Sequence, residues 1–229
     1  FLRGFKAGTQ QIEELVRKQF PSARVLRMDL DTTKGKGGHD KILESFLNRE
    51  ADILIGTQMI VKGHDFPNVT LVGVLAADLS LHAGDYRCAE RTFQLLTQAA
   101  GRAGRGERPG EVVIQTYDPS NYAVQAAASQ DYEGFYWQEI LFRSLAGYPP
   151  VSGMMAIHGT SEDQGQLELA MEYLKKLLDQ IGKKNQLSIV GPADETVSKI
   201  SDVYRKVLYV KHERREMLIM VKDRVEQYI

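Results

Sequence analysis

The feature that most constrains the fold is an alternation of short apolar segments with amphipathic helical patterns across residues 9–118. Three of the apolar segments are ARVLRMD, ADILIGT and VTLVGVLAAD, and the last is apolar almost without interruption. Strands with that pattern are typical of parallel sheets whose two faces are both covered by helices. The alternation therefore predicts a three-layer α/β fold with right-handed crossovers, in which ligands bind beyond the carboxyl ends of the strands.

The pattern changes after Asp118. Two helical segments, NYAVQAAASQ and DYEGFYWQEILFRSLAG, precede the GYPP sequence, and a strand, a helix, two strands and a final helix follow it. This order is typical of an antiparallel α+β domain similar to the split-βαβ folds. We therefore predict an α/β domain over residues 1–118, a helical connection over 119–147 and a smaller α+β C-terminal domain over 148–229. The last domain would lack its closing strand, through truncation or through disorder of the tail.

Charge and cysteine content limit the kinds of site that the chain can hold. The formal net charge is −1, so the charge of the whole chain does not indicate a nucleic-acid ligand. The single cysteine, Cys88, excludes an internal disulfide and a zinc site with four cysteine ligands. The histidines do not fall at metal-ligand spacing, and no apolar run approaches the roughly 18 residues of a membrane span. We predict no metal site, no membrane contact and a cytoplasmic location.

The segment DILIGTQMIVKGHDFPNV, residues 52–69, is the first candidate for chemistry. It begins as a strand that ends in Gly56-Thr57, where small residues let a phosphate approach backbone N–H groups and the Thr57 hydroxyl can donate a hydrogen bond. Gly63 permits a positive φ, and Asp65 is able to orient a water or a ribose. An ordinary loop between a strand and a helix accounts for the same residues, and spacing alone does not decide between the two interpretations.

The segment QLLTQAAGRAGR, residues 94–105, is the second candidate. Gln98 falls in the last turn of a predicted helix, and the glycines that follow are unfavourable within a helix. Arg102 and Arg105 are three residues apart on one side of the chain, so both can contact one polyphosphate. In phosphoryl transfer such an arginine stabilises charge on the departing phosphate. A solvated loop is the alternative interpretation.

These two segments resemble motifs V and VI of the superfamily 2 helicases, the second through its Q-x-x-G-R-x-G-R pattern. Residues 56–105, with GEVVIQTYDP and GYPP, are similar to the primosomal replication-restart DNA helicases, and the similarity is strongest over residues 51–150. The resemblance implies that residues 1–118 form the second RecA-like lobe of a P-loop NTPase-like motor. It also implies that the C-terminal domain contacts branched DNA and partner proteins.

The resemblance also implies roles for individual residues. Arg102 and Arg105 would reach the γ-phosphate of ATP, and Gln98 would lie beside the nucleotide. Gly63 and Asp65 would couple DNA contact to the nucleotide. The residues that would contact the DNA backbone, all in the first segment, are Gly56, Thr57, Gln58 and Lys62. Arg91 is a weaker candidate, because a packing helix explains its position equally well.

At the level of activity, the resemblance implies an ATP-dependent helicase that moves 3′→5′, remodels stalled or branched replication forks and initiates primosome assembly. Its implied partners are branched and single-stranded DNA, other primosome proteins, the single-stranded-DNA-binding protein and an N-terminal lobe. That lobe would hold most of the ATP and Mg²⁺, because this sequence has no G-x-x-x-x-G-K-[ST] loop. We therefore expect this fragment alone to be inactive. The family's zinc-binding cysteines are also absent, so zinc is expected only in the full-length protein.

Two alternative functions stay open from the sequence. The chain could be a lobe of another superfamily 2 translocase, such as a branch-migration helicase. It could also be a non-catalytic module that binds DNA or proteins and retains a decayed helicase lobe.

Two further patterns have simpler structural interpretations. The aromatic residues of DYEGFYWQEI could stack on bases, but their helical spacing favours packing in the core; they are Tyr132, Phe135, Tyr136 and Trp137. The segment IVGPADETV imitates an Asp-Glu box after a strand, yet Pro192 interrupts it, and we predict a hairpin strand there.

Overall fold

Short parallel strands form the framework of the N-terminal half of the chain. In the computed structural model, which describes residues 8–34, 37–57, 60, 66–82, 84–106 and 108–227, the predicted strand segments are extended. Strands β1 (Val25–Met28) and β2 (Ile53–Gly56) pair in parallel, as do β3 (Leu71–Val74) and β4 (Glu111–Ile114). The strands therefore form two parallel pairs in the described residues, and the predicted α/β class is confirmed.

Helices connect and cover these strands because their apolar residues recur at helical spacing. The helices of this half are α1 (Thr9–Gln19), α2 (Gly38–Leu47), α3 (Asp78–Leu81), α4 (Cys88–Ala100), α5 (Tyr122–Ser129) and α6 (Tyr132–Ala146). One core cluster contains Met28, Leu43 and Phe66, and another contains Phe93, Leu96 and Phe135. The strands and helices thus share two apolar clusters, each formed by residues from distant parts of the sequence.

The chain divides into two compact units, residues 1–135 and 136–229. The division falls within α6, between Phe135 and Tyr136. The domain boundaries that we predict at residues 118 and 148 stay predictions.

The second unit is an antiparallel α+β arrangement, as the order of elements predicts. Its elements are β5 (Gly153–Ser161), α7 (Gln164–Asn185), β6 (Ser188–Ile200), β7 (Val203–His212) and α8 (Arg215–Glu226). The strand order is β5-β7-β6, with both pairs antiparallel, and Leu178, Leu208, Val210 and Val221 are buried between the sheet and the helices. The IVGPADETV segment lies within β6, which pairs with β7, so the hairpin prediction is confirmed.

The aromatic residues of α6 do not all pack in the core. Phe135 is 4% exposed and stacks on Phe93, with ring centroids 4.3 Å apart. Tyr132 is 64% exposed, Trp137 is 68% exposed, and Tyr136 is also exposed. The core prediction is therefore right for Phe135 and wrong for the other three, because only one face of a helix with 3.6 residues per turn can point toward a single neighbour.

No side-chain hydrogen bond caps the start of α1, and the Thr9 hydroxyl has another partner. The helix begins at Thr9, and its hydroxyl donates to the Asp29 carboxylate at 2.5 Å instead of capping the helix. The same carboxylate accepts backbone N–H bonds from Asp31 at 3.0 Å and Thr32 at 2.9 Å, which close the loop after β1. The Thr9 hydroxyl, followed by the Thr32 N–H, lowers the pKa of Asp29 to about 2.

Thr9→Val is expected to destabilise the fold in a pH-dependent way. A carboxylate with a lowered pKa stabilises the folded state above its unfolded pKa of about 4, and this stabilisation is lost as the pH falls toward 2. The variant should therefore lose about 1 kcal/mol of unfolding free energy near neutral pH, and the loss should shrink below about pH 4. Urea denaturation across pH measures this difference.

Thr33→Val is the matched control for this prediction. The Thr33 hydroxyl donates to the backbone carbonyl of Asp29 at 2.7 Å, so its loss should cost similar free energy without any pH dependence tied to the carboxylate. Equal pH profiles for the two variants would contradict the role assigned to the Asp29 charge.

Candidate functional site

The second candidate segment begins on α4, whose buried face consists of Ala89, Thr92, Phe93, Leu96 and Ala99. This spacing places the buried residues along one stripe of the helix. Gln98 lies outside that stripe and is exposed in the last turn. The packing of α4 therefore presents the Gln98 side chain to solvent at the end of the helix, next to the glycine-rich turn.

A tight turn follows the helix and contains both candidate arginines. The N–H of Arg102 donates to the Ala99 carbonyl at 3.0 Å and that of Ala103 to the Ala100 carbonyl at 3.2 Å, the i→i+3 pattern that tightens a helix end. Arg102 is half-buried. Arg105 is exposed, and its Nε donates to the Gly101 carbonyl at 2.5 Å. Gln98 thus lies in the last turn of α4, and the two arginines lie in the turn that follows.

The glycines of this turn are required by close backbone contacts. Gly104 has a φ of +73°, and a Cβ there would lie 2.5 Å from the Gly110 nitrogen. A Cβ on Gly106 would overlap the Pro67 carbonyl oxygen, and one on Gly110 would overlap the Gly104 nitrogen. Larger residues therefore cannot occupy these positions without moving backbone atoms.

The first candidate segment begins at the end of β2. Gly56 lies opposite Met28 in the parallel pair, and a Cβ on Gly56 would lie 2.6 Å from the Met28 carbonyl oxygen. Thr57 follows at the carboxyl end of the strand and is exposed. Ligands of α/β sheets bind at that edge, so the Thr57 hydroxyl is available there. The other candidates of the segment lie outside the described residues; they are Gln58, Lys62, Gly63 and Asp65.

The two candidate segments touch each other through their backbones. The N–H of Gly104 donates to the Val69 carbonyl at 3.0 Å, and Gly106 packs against Pro67. Residues 67–69 are the end of the first segment, so a movement of either segment changes the contacts of the other. This contact is not evident from the sequence alone, although the glycines and Pro67 are its visible signal.

A buried carboxylate lies beyond the ends of β3 and β4 and was also not identified from the sequence. Asp78 is 7% exposed, and it accepts hydrogen bonds from the Thr116 hydroxyl at 2.7 Å and the Tyr117 N–H at 3.0 Å. Burial acts to raise the pKa of Asp78, but these hydrogen bonds outweigh it, and the pKa is lowered. The ionised side chain therefore joins the carboxyl ends of the two strands.

Arg91, the weaker candidate, has an ordinary structural role. Arg91 forms an ion pair with Asp85 on the surface.

Among the residues that the structure describes, no group of three or more histidine, cysteine, aspartate or glutamate side chains is arranged to hold a metal ion. Within the same residues, no helix is both long and apolar enough to span a membrane.

Comparison with known proteins gives matches over the whole chain. A family model described as helicase conserved C-terminal domain matches residues 4–107. Replication restart protein PriA of Bacillus subtilis (strain 168) is 46% identical over 231 residues, which cover 99% of this chain and 28% of that protein. The PriA of Synechocystis sp. is 41% identical over 99% of this chain and 27% of that protein, and the PriA of Haemophilus influenzae is 37% identical over 92% and 29%. The chain spans a little more than a quarter of the length of these curated relatives.

Proposed function

The chain belongs to the PriA family of replication restart proteins, and we propose that it supplies half of an ATP site and part of a DNA path. It is the second RecA-like lobe of a helicase, followed by a C-terminal α+β domain. The proposed motor hydrolyses ATP, moves 3′→5′ on DNA and remodels stalled or branched forks so that a primosome can assemble. Its proposed partners are branched and single-stranded DNA, primosome proteins and the single-stranded-DNA-binding protein.

The observation that carries this proposal is the turn after α4. Gln98, at the end of α4, and Arg105, after the turn, are both exposed, and Arg102 lies between them in the sequence. Amide and guanidinium donors suit phosphate oxygens, and a guanidinium can form two parallel hydrogen bonds to one phosphate. ATP bound by the other lobe would therefore meet these side chains as its γ-phosphate departs. Because this sequence contains no G-x-x-x-x-G-K-[ST] loop, Mg²⁺ and most of the nucleotide are assigned to that other lobe, and the fragment alone is expected to be inactive.

Contact between the two candidate segments supports a link between nucleotide and DNA. The Val69–Gly104 hydrogen bond joins the last residue of the first candidate segment to the turn that carries the arginines. Gly56 and Thr57 would contact the DNA backbone, together with Gln58 and Lys62. Gly63 and Asp65 would couple that contact to the ATP site.

Unwinding by the full-length protein tests the proposed activity. DNA forks that offer only a 3′-ended or only a 5′-ended single-stranded loading strand should be supplied with ATP and Mg²⁺. The proposal expects ATP-dependent strand separation with the 3′ loading strand alone. Unwinding from the 5′ strand would contradict the direction, and ATP hydrolysis without any unwinding would favour a translocase of another kind.

Thr57→Ala is expected to weaken DNA binding by the full-length protein about fivefold, which corresponds to one neutral hydrogen bond to a phosphate. Because the lost donor is uncharged, the slope of log Kd against log salt concentration should not change. Fluorescence anisotropy with single-stranded DNA across a salt series measures both quantities. Thr57→Ser keeps the hydroxyl and should bind as the parent does; equal weakening in both variants would show that the hydroxyl does not contact the backbone.

A further inference from the structure

A buried hydroxyl interrupts the apolar stripe of α4. Among the five buried residues of the helix, four are apolar and the fifth, Thr92, is 0% exposed. The Thr92 hydroxyl donates to the Ser80 hydroxyl at 2.8 Å, and Ser80 donates to the Ala77 carbonyl at 2.9 Å. The Cys88 carbonyl, one turn earlier in α4, lies at 2.8 Å as a second acceptor. The hydroxyl of Thr92 therefore joins α4 to α3.

This connection extends to the sheet. Ser80 lies on α3, and α3 begins at Asp78, the carboxylate that is held by Thr116 and Tyr117 beyond the end of β4. Apolar packing alone is non-directional and leaves a helix free to slide or rotate slightly against its neighbours. A hydrogen bond needs a defined distance and angle, so the Thr92–Ser80 pair sets the position of α4 relative to the ends of the strands.

A second anchor holds the far end of the same segment. The Gly104 N–H donates to the carbonyl of Val69, just before β3, whereas Ser80 follows β3. The segment from Thr92 to Gly104 is therefore fastened to both flanks of one strand. Arg102 lies between the two anchors, and Arg105 is the residue after the second.

From this arrangement we infer that Thr92 and Ser80 are positioning residues for Arg102 and Arg105. They set the axial position and rotation of α4, and through it the place at which the two guanidinium groups meet the departing phosphate. The inference rests on the proposed function, because it concerns the geometry of that ATP site. It adds two residues, both outside the two candidate segments, on which the rate of hydrolysis depends.

Steady-state ATP hydrolysis by the full-length protein with saturating single-stranded DNA tests the inference. Thr92→Val keeps the shape of the side chain and removes the hydroxyl. A misplacement of catalytic groups by about 1 Å costs up to 10²-fold in rate, so kcat per folded molecule is expected to fall about 10- to 100-fold. The KM for ATP should change less than about twofold, because the arginines act mainly in the transition state. Thr92→Ser should restore most of the rate, and Ser80→Ala, on the other side of the bond, should reproduce the loss.

A double-mutant cycle with Arg105→Ala separates positioning from simple loss of stability. If Thr92 acts through Arg105, then Thr92→Val should lower kcat less than about twofold further when Arg105 is already alanine. Leu178→Ala, in the core cluster of the second unit, is the control for destabilisation and should leave kcat per folded molecule unchanged. A full additional loss in a background where both Arg102 and Arg105 are alanine would overturn the inference.

The outcomes also distinguish the inference from the proposed function. A normal kcat for both Thr92→Val and Ser80→Ala, with Arg105→Ala strongly impaired, would overturn the inference and leave the ATP site in place. Unimpaired hydrolysis by Arg105→Ala would overturn both.

Discussion

Arg105→Ala is expected to lower DNA-stimulated ATP hydrolysis by the full-length protein by about 10³-fold or more. The guanidinium is exposed on the turn after α4, and its Nε is held by the Gly101 carbonyl. A guanidinium at this position can donate to a phosphate from another lobe and stabilise the charge that develops as the phosphate departs. Because the interaction strengthens in the transition state, the loss should appear in kcat far more than in the KM for ATP.

Two variants make this expectation specific. Arg105→Lys keeps the charge but loses the planar pair of donors, so its rate should fall between those of the parent and Arg105→Ala. Arg108→Ala removes an exposed arginine from the same loop, outside the Q-x-x-G-R-x-G-R pattern, and should hydrolyse ATP at the parent rate. Equal rates for Arg105→Ala and Arg108→Ala would show that the loop contributes only general positive charge.

Gly104→Ala is expected to destabilise the chain by about 3 kcal/mol and to lower ATP hydrolysis by the full-length protein about 10²-fold. The residue has a φ of +73°, which is unfavourable for any residue with a side chain. Its Cβ would also lie 2.5 Å from the Gly110 nitrogen and 3.0 Å from the Gly110 Cα. Both are backbone atoms, so the turn must open, and the neighbouring Arg105 would move with it. Urea denaturation of the chain and steady-state kinetics of the full-length protein measure the two effects.

Gly84→Ala is the matched control. Gly84 has a similar φ of +66°, but nothing lies within 4 Å of a Cβ built there. Its substitution carries only the backbone cost of about 1 kcal/mol and should not affect hydrolysis. If Gly104→Ala and Gly84→Ala lower the free energy of unfolding by the same amount, the contact between residue 104 and Gly110 does not have the cost assigned to it.

Local patterns predicted the order and type of the strands and helices. A continuous apolar run such as VTLVGVLAAD predicted a parallel strand, and the structure places β3 there in parallel with β4. The β-α-β-β-α order after GYPP likewise predicted the antiparallel sheet of the second unit. The expected cover on both faces is wrong for β3, because its residues alternate between exposed and half-buried and Leu71 is 59% exposed. The same patterns were wrong for Tyr132, Tyr136 and Trp137, because helical spacing does not indicate how wide the covered face of a helix is.

The candidate site was predicted as a set of residues, not as an arrangement. The glycines and arginines of residues 101–105 are visible as a motif, but the reason for Gly104 is a contact with Val69 and Gly110. No pattern within the α4 segment indicates that Thr92 would meet Ser80, twelve residues earlier.

By itself, the sequence determined the family, the α/β class and the identity of the candidate arginines, because periodicity and motif spacing are properties of neighbouring residues. Only the tertiary structure decided how the arginine turn is held, through Val69, Pro67 and the Thr92–Ser80 bond. These contacts join residues distant along the chain, and their energies depend on directions and distances of a few ångströms that exist only after the strands and helices have packed.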